Sequence, residues 1–558
     1  MKDILKNTWT VLDKGEKKKF VTLVIADIVI NVLDIVSLAL LLWIIQFYIE
    51  PASNDRFSFF PGWLTDKRSA WFIVIFFLLF GLKNAGAYFI SKTWYTFITG
   101  VSVSISGNNL SNYQDASFEE FVNTDSAIHI RKIGFQPFEF CQYILSGIQQ
   151  VITQSVLILL TIAAIVVFNA RLFLLLLAIL LPPVIITLYF IRKRMTKAKK
   201  DIKTSSETSF KYLLDALKGY VEANIYNRNH FFLQRFINSR RIFSKVMFGS
   251  ISIQQMPSRF IEVFAILGLF ILIAITRWTG NNDNSMLITI GAFMAAAYKI
   301  IPGIVRIINI SGQINAYEYS ITDLVQNEKR AKRKKERKPA APPASIDLRN
   351  IHFQYDEKPL IKGLSFSVER GDFVGITGDS GKGKTTVLNL LLGLLAPAKG
   401  EILFNKTPVD KDDARDFWPF ISYVKQQPFL IHDTILRNIT LEENVYDEKK
   451  LQTALDISGI SQLTDISKTG LDKIITENGK NISGGQQQRI AIARALYRDA
   501  SLIILDEPFN ELDEVSECDL LKSFKLLSQK GKMIILITHN KKALSFCNKI
   551  VSLDGKEG

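Results

Sequence analysis

The pattern of hydrophobic and polar residues changes past the middle of the chain, from long apolar runs to short alternating segments. Six runs in the first part predict membrane-spanning helices, because an α-helix needs about 20 mostly apolar residues to cross a bilayer core. An even number of spans would return the chain to the side of the membrane on which it began. The runs comprise residues 20–49, 70–90, 144–168, 172–191, 260–276 and 286–305.

The connections between these runs alternate in length and charge. Two of them, residues 91–143 and 192–249, are long, and the second is strongly basic, whereas residues 50–67, 169–171 and 277–285 are short and lightly charged. Basic connections stay on the cytoplasmic side of a membrane. We therefore expect the long connections, the N-terminus and everything after the sixth run to be cytoplasmic. Helical periodicity in the long connections predicts that the spanning helices continue beyond the bilayer and end in turns that contact a cytoplasmic domain.

Ionisable residues interrupt the apolar runs. Each costs roughly 2.5–3.5 kcal/mol at the bilayer centre unless it faces protein or water. Asp27 and Asp34 are seven residues apart, so they share one face of the first helix. They line a polar translocation path, or they pair with a cation on another helix such as Lys83 or Lys299, and the sequence leaves both interpretations open. The ionisable residues within the runs are Asp27, Asp34, Lys83, Glu262 and Lys299.

The formal net charge of +15 has a local explanation. Much of the excess lies beside the apolar runs or in residues 329–338, where eight of ten residues are Lys or Arg. This placement fits the membrane orientation, so no nucleic-acid partner is expected. The basic block either contacts anionic lipid headgroups or is a solvated connector. Cys141, Cys518 and Cys547 have neither metal-ligand nor disulfide spacing.

A proline-rich segment marks a domain boundary after the basic block. Residues 326–344 are predicted to be a linker between a membrane domain, residues 1–325, and a second domain, residues 345–558. From residue 345 onward, short strands and strand–helix units replace the apolar runs. This pattern predicts an α/β domain.

A phosphate-binding loop follows an apolar strand at residues 373–377 and precedes a helix at residues 386–394. Glycines let successive backbone N–H groups face phosphate oxygens, and the helix start adds its positive end. Lys384 is expected to reach the β- and γ-phosphates, and Thr385 to ligate Mg²⁺. The sequence thus predicts an ATPase that uses ATP and Mg²⁺. The expected nucleotide contacts are Gly378, Asp379, Ser380, Gly381, Lys382, Gly383, Lys384, Thr385 and Thr386.

A second strand, residues 502–505, ends in two acidic residues. Asp506 is placed to hold the Mg²⁺ shell, and Glu507 to polarise the attacking water. A helix start with acids in its first turn is the structural alternative. Four apolar β-formers before the pair and Pro508 after it argue against that alternative.

Small residues at 483–486 precede a predicted helix at residues 490–496. A helix start with a serine hydroxyl and glycines is suited to bind an anion. The residues are Ser483, Gly484, Gly485 and Gln486.

In this order, the phosphate loop, residues 482–486 and residues 505–507 resemble the ATP-binding-cassette family, and the resemblance covers essentially the whole chain. It implies that the helix start at Ser483 serves the phosphates bound by a second copy of the chain rather than by its own loop. The resemblance also implies that Tyr355 stacks on adenine and that Asp513 contacts a dimer partner. It also implies catalytic roles for Gln426, which joins the nucleotide and metal site to the membrane domain, and for His539 at the γ-phosphate.

The order of the domains resembles that of the exporters in this family, which fuse six spans ahead of one cassette. Residues 476–479 are similar to the exporter-specific loop that touches the partner's membrane domain. Lys425, Asn478 and Pro508–Phe509 depart from the usual family residues without removing a group that touches ATP. The membrane half looks like that of lipid-linked oligosaccharide flippases through residues 33–35, 257–262 and 298–302.

The sequence therefore predicts an all-α six-helix transmembrane domain fused to an α/β P-loop ATPase domain. We expect a homodimer in a bacterial cytoplasmic membrane that uses ATP to export or flip an amphipathic substrate, either a lipid-linked saccharide or a peptide. Membrane lipid is its other expected partner. An importer and a membrane-anchored regulatory ATPase remain alternatives, although an anchor needs only one span.

Overall fold

The computed structural model describes residues 2–49, 70–168, 170–278, 283–331, 340–355, 358–462 and 470–554. Its contacts divide the chain into two compact units. The first comprises residues 1–116 and 120–334, and the second comprises residues 117–119 and 335–558. Most of the basic block, the predicted connection at 50–67 and residue 169 lie outside the described residues.

The first unit is helical, and each of the six apolar runs lies in one long helical stretch. Short helices and two π-helical turns, Arg131–Phe135 and Phe140–Leu145, separate the second run from the third. In chain order the helices are α1 Lys2–Val11, α2 Lys14–Ile49, α3 Trp71–Gln114, α4 Phe118–Asn123, α5 Ser126–Ile130, α6 Gln136–Glu139, α7 Ser146–Phe168, α8 Ala170–Lys218, α9 Tyr220–Ile225, α10 Asn229–Trp278 and α11 Asp283–Ala331.

Three helical segments among the described residues are long and apolar enough to cross a bilayer. They are Lys14–Ser37, Trp71–Gln114 and Ser126–Ala163. The other three predicted spans contain side chains outside the described part of the chain, so their assignment as spans stays a prediction. As expected from periodicity, the helices that carry the apolar runs extend well past them: α8 has 49 residues and α10 has 50.

Glycines set the distance between α7 and α11. A Cβ on Gly147 would lie 3.0 Å from Cγ1 of Ile314, and a Cβ on Gly303 would lie 3.1 Å from Cγ1 of Ile158. Ile314 is fully buried in this contact. Small residues allow helices to approach closely in a lipid environment, where burial of apolar surface alone gives little driving force.

A buried arginine joins three segments of the first unit. The side chain of Arg131 is 1% exposed, and its guanidinium lies 3.6 Å from Glu139 and 3.4 Å from Glu207. The ring of Tyr319 lies 4.7 Å from the guanidinium. Removing one partner of such a group costs about 3–5 kcal/mol, because the remaining charge stays buried.

The two acidic residues of the first span have different partners. The ammonium of Lys83 on α3 pairs with the carboxylate of Asp34 on α2. Asp27 instead accepts hydrogen bonds from the amide of Gln149 and the hydroxyl of Thr153, both on α7. The pairing interpretation therefore applies to Asp34, and the path interpretation stays open for Asp27. The side chain of Lys299 lies outside the described residues.

The second unit is built on two main sheets. One is antiparallel with strand order β2-β1-β4-β5, and the other is parallel with order β11-β3-β10-β9-β6. The strands are β1 Ser345–Tyr355, β2 Lys358–Glu369, β3 Phe373–Thr377, β4 Lys399–Phe404, β5 Thr407–Pro408, β6 Ile421–Val424, β7 Asp433–Thr434, β8 Ile474–Ile475, β9 Leu502–Asp506, β10 Met533–Ile537 and β11 Lys549–Ser552.

Helices of the second unit begin where glycine or a capping side chain stops the preceding loop. The helix after the phosphate loop begins at Lys384, two residues before the predicted start, because Gly383 takes up a left-handed turn with φ 95°. The helix predicted at residues 490–496 begins at Gly484, because Ser483 caps it. The helices are α12 Lys384–Leu391, α13 Ile435–Thr440, α14 Glu448–Ser458, α15 Gly484–Tyr497, α16 Glu514–Gln529 and α17 Lys541–Leu544.

The Lys83–Asp34 pair predicts a stability effect. The Lys83 side chain is 8% exposed, so Asp34→Asn leaves a nearly buried cation without its counter-charge. We expect a melting temperature in nanodiscs that is lower by several degrees, since a buried unpaired charge costs about 3 kcal/mol or more. The double variant Asp34→Asn/Lys83→Met removes both charges and should recover most of the loss. Equal melting temperatures for Asp34→Asn and the wild type would contradict this assignment.

Candidate active site

The parallel sheet brings the ends of four strands to one edge. The phosphate loop follows β3, Asp506 ends β9, Gln426 lies two residues after β6, and His539 lies two residues after β10. Ligands of open α/β sheets bind at the carboxyl ends of the strands. Residues that are far apart in the sequence therefore lie together at one edge of the sheet.

The phosphate loop has the backbone that an anion site needs. Gly381 and Gly383 have φ values of 83° and 95°, a region that glycine adopts without strain. The ammonium of Lys384 lies within the curl of the loop and donates to the carbonyl oxygens of Gly378 at 2.6 Å and Asp379 at 3.3 Å.

Other loop side chains differ in their exposure. Asp379, Ser380, Lys382 and Thr385 are exposed, which leaves the Thr385 hydroxyl accessible to a metal ion, whereas Thr386 is buried under the loop.

The first of the two acidic residues at the sheet edge, Asp506, is nearly buried. Asp506 is 8% exposed, and burial raises the pKa of its carboxyl. Two groups oppose this change: the hydroxyl of Tyr423, which donates to Oδ2 at 3.2 Å, and the ammonium of Lys384. The site therefore favours a cation next to Asp506, because a cation stabilises the ionised carboxylate.

Three side chains surround the Glu507 carboxylate. The amides of Gln426 and Asn510 both donate to Oε2 at 2.9 Å, and Nδ1 of His539 lies 3.6 Å from Oε1. Glu507 itself has φ 46°, a left-handed conformation that is strained for a residue with a side chain. Its N–H donates to the carbonyl of Ile537 on β10 at 3.0 Å. The carboxylate is thus fixed in position over the edge of the sheet.

Tyr423 and Asn510 contact the acidic pair, and neither was predicted to have a role. Tyr423 lies on β6 beside β9, paired with Ile504. Asn510 lies three residues after Glu507 in a turn. A short apolar strand before Gln426 was the only sequence signal for Tyr423, and a polar residue in a turn was the only one for Asn510. Neither signal specifies which side chain a hydroxyl or an amide will contact.

The helix start at Ser483 has a capping box. Ser483 Oγ accepts from the N–H of Gln486 at 3.3 Å, and Gln486 Oε1 accepts from the N–H of Ser483 at 3.2 Å. A Cβ at Gly485 would lie 2.9 Å from the backbone oxygen of Glu511, so this position needs glycine, whereas a Cβ at Gly484 would meet only the carboxylate end of the Glu511 side chain. Among the described residues, no hydrogen bond joins this helix start to the phosphate loop of the same chain.

Asp513 and Tyr355 lie at element ends. Asp513 caps α16 and accepts from the N–H of Ser516 at 2.9 Å and from its hydroxyl at 2.6 Å, which lowers the pKa of the carboxyl. Tyr355 is the last residue of β1 and is 51% exposed. Its ring meets the ring of Phe353 edge-on, with 4.9 Å between the ring centroids. Residues 356 and 357, next to Tyr355, lie outside the described part of the chain.

The residues at the sheet edge fit a triphosphate with Mg²⁺. The loop offers backbone N–H groups and one ammonium, and Thr385, Gln426 and Asp506 offer oxygen atoms to a hard cation. Within the described residues, no group of three His, Cys, Asp or Glu side chains could hold a metal by itself. Mg²⁺ bound through one or two protein groups and nucleotide phosphates matches this donor set.

Residues 361–510 match the family model described as ABC transporter. The chain carries an ABC transporter ATPase domain. The match includes the phosphate loop, the helix start at Ser483 and the Asp506–Glu507 pair, and it ends at Asn510. His539 lies beyond it, on the same edge of the ABC ATPase domain.

Two relatives cover different shares of the chain. A putative export ATP-binding/permease protein of Rickettsia typhi is 36% identical over 213 residues, which is 38% of this chain and 37% of that protein. An ATP-dependent lipid A-core flippase of Saccharophagus degradans is 24% identical over 532 residues, which is 92% of this chain and 88% of that protein. The first alignment spans only 37% of the length of the Rickettsia protein.

The fold is that of an ABC exporter. A solved structure of a bacterial Atm1-family ABC exporter with ATP bound is similar, with a TM-score of 0.75 and 17% sequence identity. The similarity covers 97% of this chain and 94% of the exporter chain. It includes the helical first unit as well as the ABC ATPase domain.

Glu507→Gln tests the catalytic carboxylate. The substitution keeps a side chain that can accept from Gln426 and Asn510 but removes the basic oxygen. ATP hydrolysis should fall by about 10²–10⁴-fold, as for loss of a positioned general base, while ATP binding persists. Lys384→Ala is the matched contrast, because it removes the phosphate-binding cation and should weaken ATP binding itself. Near-wild-type turnover in purified Glu507→Gln would assign the base elsewhere.

Proposed function

We propose that the chain is an ATP-driven exporter or flippase for an amphipathic substrate, acting as a homodimer in a bacterial cytoplasmic membrane. The observation that carries this proposal is the presence, in one chain, of an ABC ATPase domain and a helical unit whose apolar helices are long enough to span a bilayer. The ATPase domain and the N-terminus are cytoplasmic in this proposal, because ATP is available there.

The side chains at the sheet edge divide the chemistry of ATP hydrolysis among them. The phosphate loop and Lys384 bind and orient the triphosphate, and Glu507 accepts a proton from the attacking water. Gln426 and Asn510 hold the Glu507 carboxylate through hydrogen bonds of 2.9 Å each. Asp506 and Thr385 are placed to hold Mg²⁺. When bound there, the ion would supply positive charge that offsets the negative charge developing on the phosphate.

The proposed homodimer rests on the separation, within one chain, of the phosphate loop from the helix start at Ser483. Ser483–Gln486 form an anion-binding helix start that makes no described hydrogen bond to the phosphate loop of its own chain. A second copy would supply the missing half of each site, with Asp513 at the contact. Both Glu507 and His539 are present, so one kind of chain is sufficient for two active sites.

The substrate class is the finer part of the proposal. The named activity of the Saccharophagus relative is lipid A-core flipping, and its alignment runs through the helical unit as well as the ATPase domain. A lipid-linked saccharide is therefore our first candidate, and a peptide is the second. An importer would need a separate binding protein, and a regulatory ATPase would hydrolyse ATP without moving a solute.

Transport is tested in proteoliposomes that contain purified protein and a fluorescent amphipathic lipid. Addition of ATP and Mg²⁺ should move the labelled headgroup across the bilayer, measured as a change in its accessibility to a membrane-impermeant quencher. Glu507→Gln should abolish the movement together with hydrolysis. ATP hydrolysis without movement of any saccharide lipid or peptide would favour the regulatory ATPase, and inward movement of a solute would favour an importer.

Mixed dimers test whether each site is shared between chains. Ser483→Asp keeps a good helix cap but places a negative charge at the anion site. A dimer with Lys384→Ala in one chain and Ser483→Asp in the other should retain one intact composite site and measurable ATPase activity. A dimer with both substitutions in one chain, paired with a wild-type chain, should retain none. The reverse result, from tandem-purified dimers, would place each complete site within a single chain.

A further inference from the structure

Tyr423 reaches the Asp506 carboxylate from the neighbouring strand. β6 runs parallel to β9, and Tyr423 is paired with Ile504 in that register. Side chains alternate between the two faces of a strand, so Ile504 and Asp506 lie on the same face of β9. The Tyr423 ring begins beside Ile504 on that face and extends toward the strand end, where its hydroxyl donates to Oδ2 of Asp506 at 3.2 Å.

Packing holds the Tyr423 ring in this position. The side chain is half-buried and packs against an apolar cluster that includes Ile421, Leu502 and Ile504, all of which lie on β6 or β9. Asp506 itself is 8% exposed. The hydrogen bond therefore joins two side chains that the sheet fixes, and it does not depend on a mobile surface residue.

The hydrogen bond makes the two oxygens of Asp506 different. Oδ2 accepts from Tyr423, and within the described part of the chain no other side chain donates to this carboxylate. A carboxylate can bind a cation through one oxygen or through both. Because Oδ2 already accepts a hydrogen bond, Asp506 has one free oxygen, Oδ1, to offer to a cation.

A single free oxygen suits one of the two common divalent cations better than the other. Mg²⁺ requires near-octahedral geometry at about 2.0–2.1 Å and keeps several waters. Ca²⁺ takes about six to eight oxygens at longer distances and often binds both oxygens of one carboxylate. Thr385 and Gln426, the other expected metal contacts, have one side-chain oxygen each. These three side chains therefore fit Mg²⁺ better than Ca²⁺.

We propose that Tyr423 determines the metal specificity of the nucleotide site: its hydroxyl engages Oδ2 of Asp506, restricts this carboxylate to one oxygen and thereby favours Mg²⁺ over Ca²⁺. The inference rests on the proposed Mg²⁺ site and adds the residue that selects its ion. Tyr423 acts through Asp506, so it is a positioning residue. If its hydroxyl only stabilised the fold, its loss would weaken binding with both ions alike.

The test measures nucleotide binding without turnover, in full-length Glu507→Gln protein in nanodiscs. The Kd of a fluorescent ATP analogue is determined in saturating Mg²⁺, in saturating Ca²⁺ and in EDTA. The parent protein should bind the analogue more tightly with Mg²⁺ than with Ca²⁺. Adding Tyr423→Phe should lower the ratio of the Ca²⁺ Kd to the Mg²⁺ Kd by about tenfold, the effect expected from one contact to a charged group.

Tyr497→Phe is the matched control. The Tyr497 hydroxyl also donates to a carboxylate, Oε2 of Glu442 at 3.4 Å, and the residue is 8% exposed. Its loss should leave the Kd ratio unchanged even where it lowers the melting temperature. Tyr423→Leu removes the ring together with the hydroxyl and should shift the ratio in the same direction as Tyr423→Phe, so the test does not depend on one substitution.

The outcomes separate this inference from the proposals on which it rests. Equal Kd values with the two ions in the parent protein, an unchanged ratio in Tyr423→Phe, or equal weakening with both ions would overturn the role of Tyr423. Asp506→Asn should weaken binding in Mg²⁺ but not in EDTA, and an unchanged Kd in Mg²⁺ would contradict the metal site itself. A ratio that responds to Tyr423 without ATP-driven movement of any substrate would support this inference and contradict transport.

Discussion

Parallel pairing of β3, β10, β9 and β6 is the constraint on which the active site depends. Because these strands run in one direction, their carboxyl ends lie at the same edge, and the loops that follow them meet there. Lys384, Asp506, Gln426 and His539 come from four different segments of the chain. Buried apolar side chains on β3, β9 and β10 hold this edge in place, so the stability of the core also positions the candidate catalytic groups.

Strain and hydrogen bonding act together at the Glu507 carboxylate, the proposed general base. The left-handed backbone of Glu507 costs free energy, of the order of 1–3 kcal/mol for a residue in a sparsely populated region. The hydrogen bond from its N–H to β10 compensates for that cost. The hydrogen bonds from the amides of Gln426 and Asn510 fix the side chain. In the proposed mechanism, a carboxylate fixed in this way needs little rearrangement when the substrate binds.

Charged side chains in the helical unit have two kinds of partner. Asp34 and Lys83 neutralise each other, so their role is structural. Asp27 and Arg306 accept from or donate to neutral side chains of α7 and line one cavity, and neither forms an ion pair within the part of the chain that the structure describes. The same residue type on the same helix face therefore has different partners, because α3 packs beside one position and α7 beside the other.

The sequence by itself determined the order of the elements and predicted the chemistry of the candidate ATPase site. Apolar runs about 20 residues long, a glycine loop after a buried strand and adjacent acids at a strand end are local patterns, and local patterns follow from backbone sterics and burial. Only the tertiary structure decided that Tyr423 contacts Asp506, that Asn510 contacts Glu507 and that Lys83 pairs with Asp34 rather than with Asp27. These contacts join segments whose distance and relative rotation depend on how strands and helices pack, and no local pattern encodes that packing.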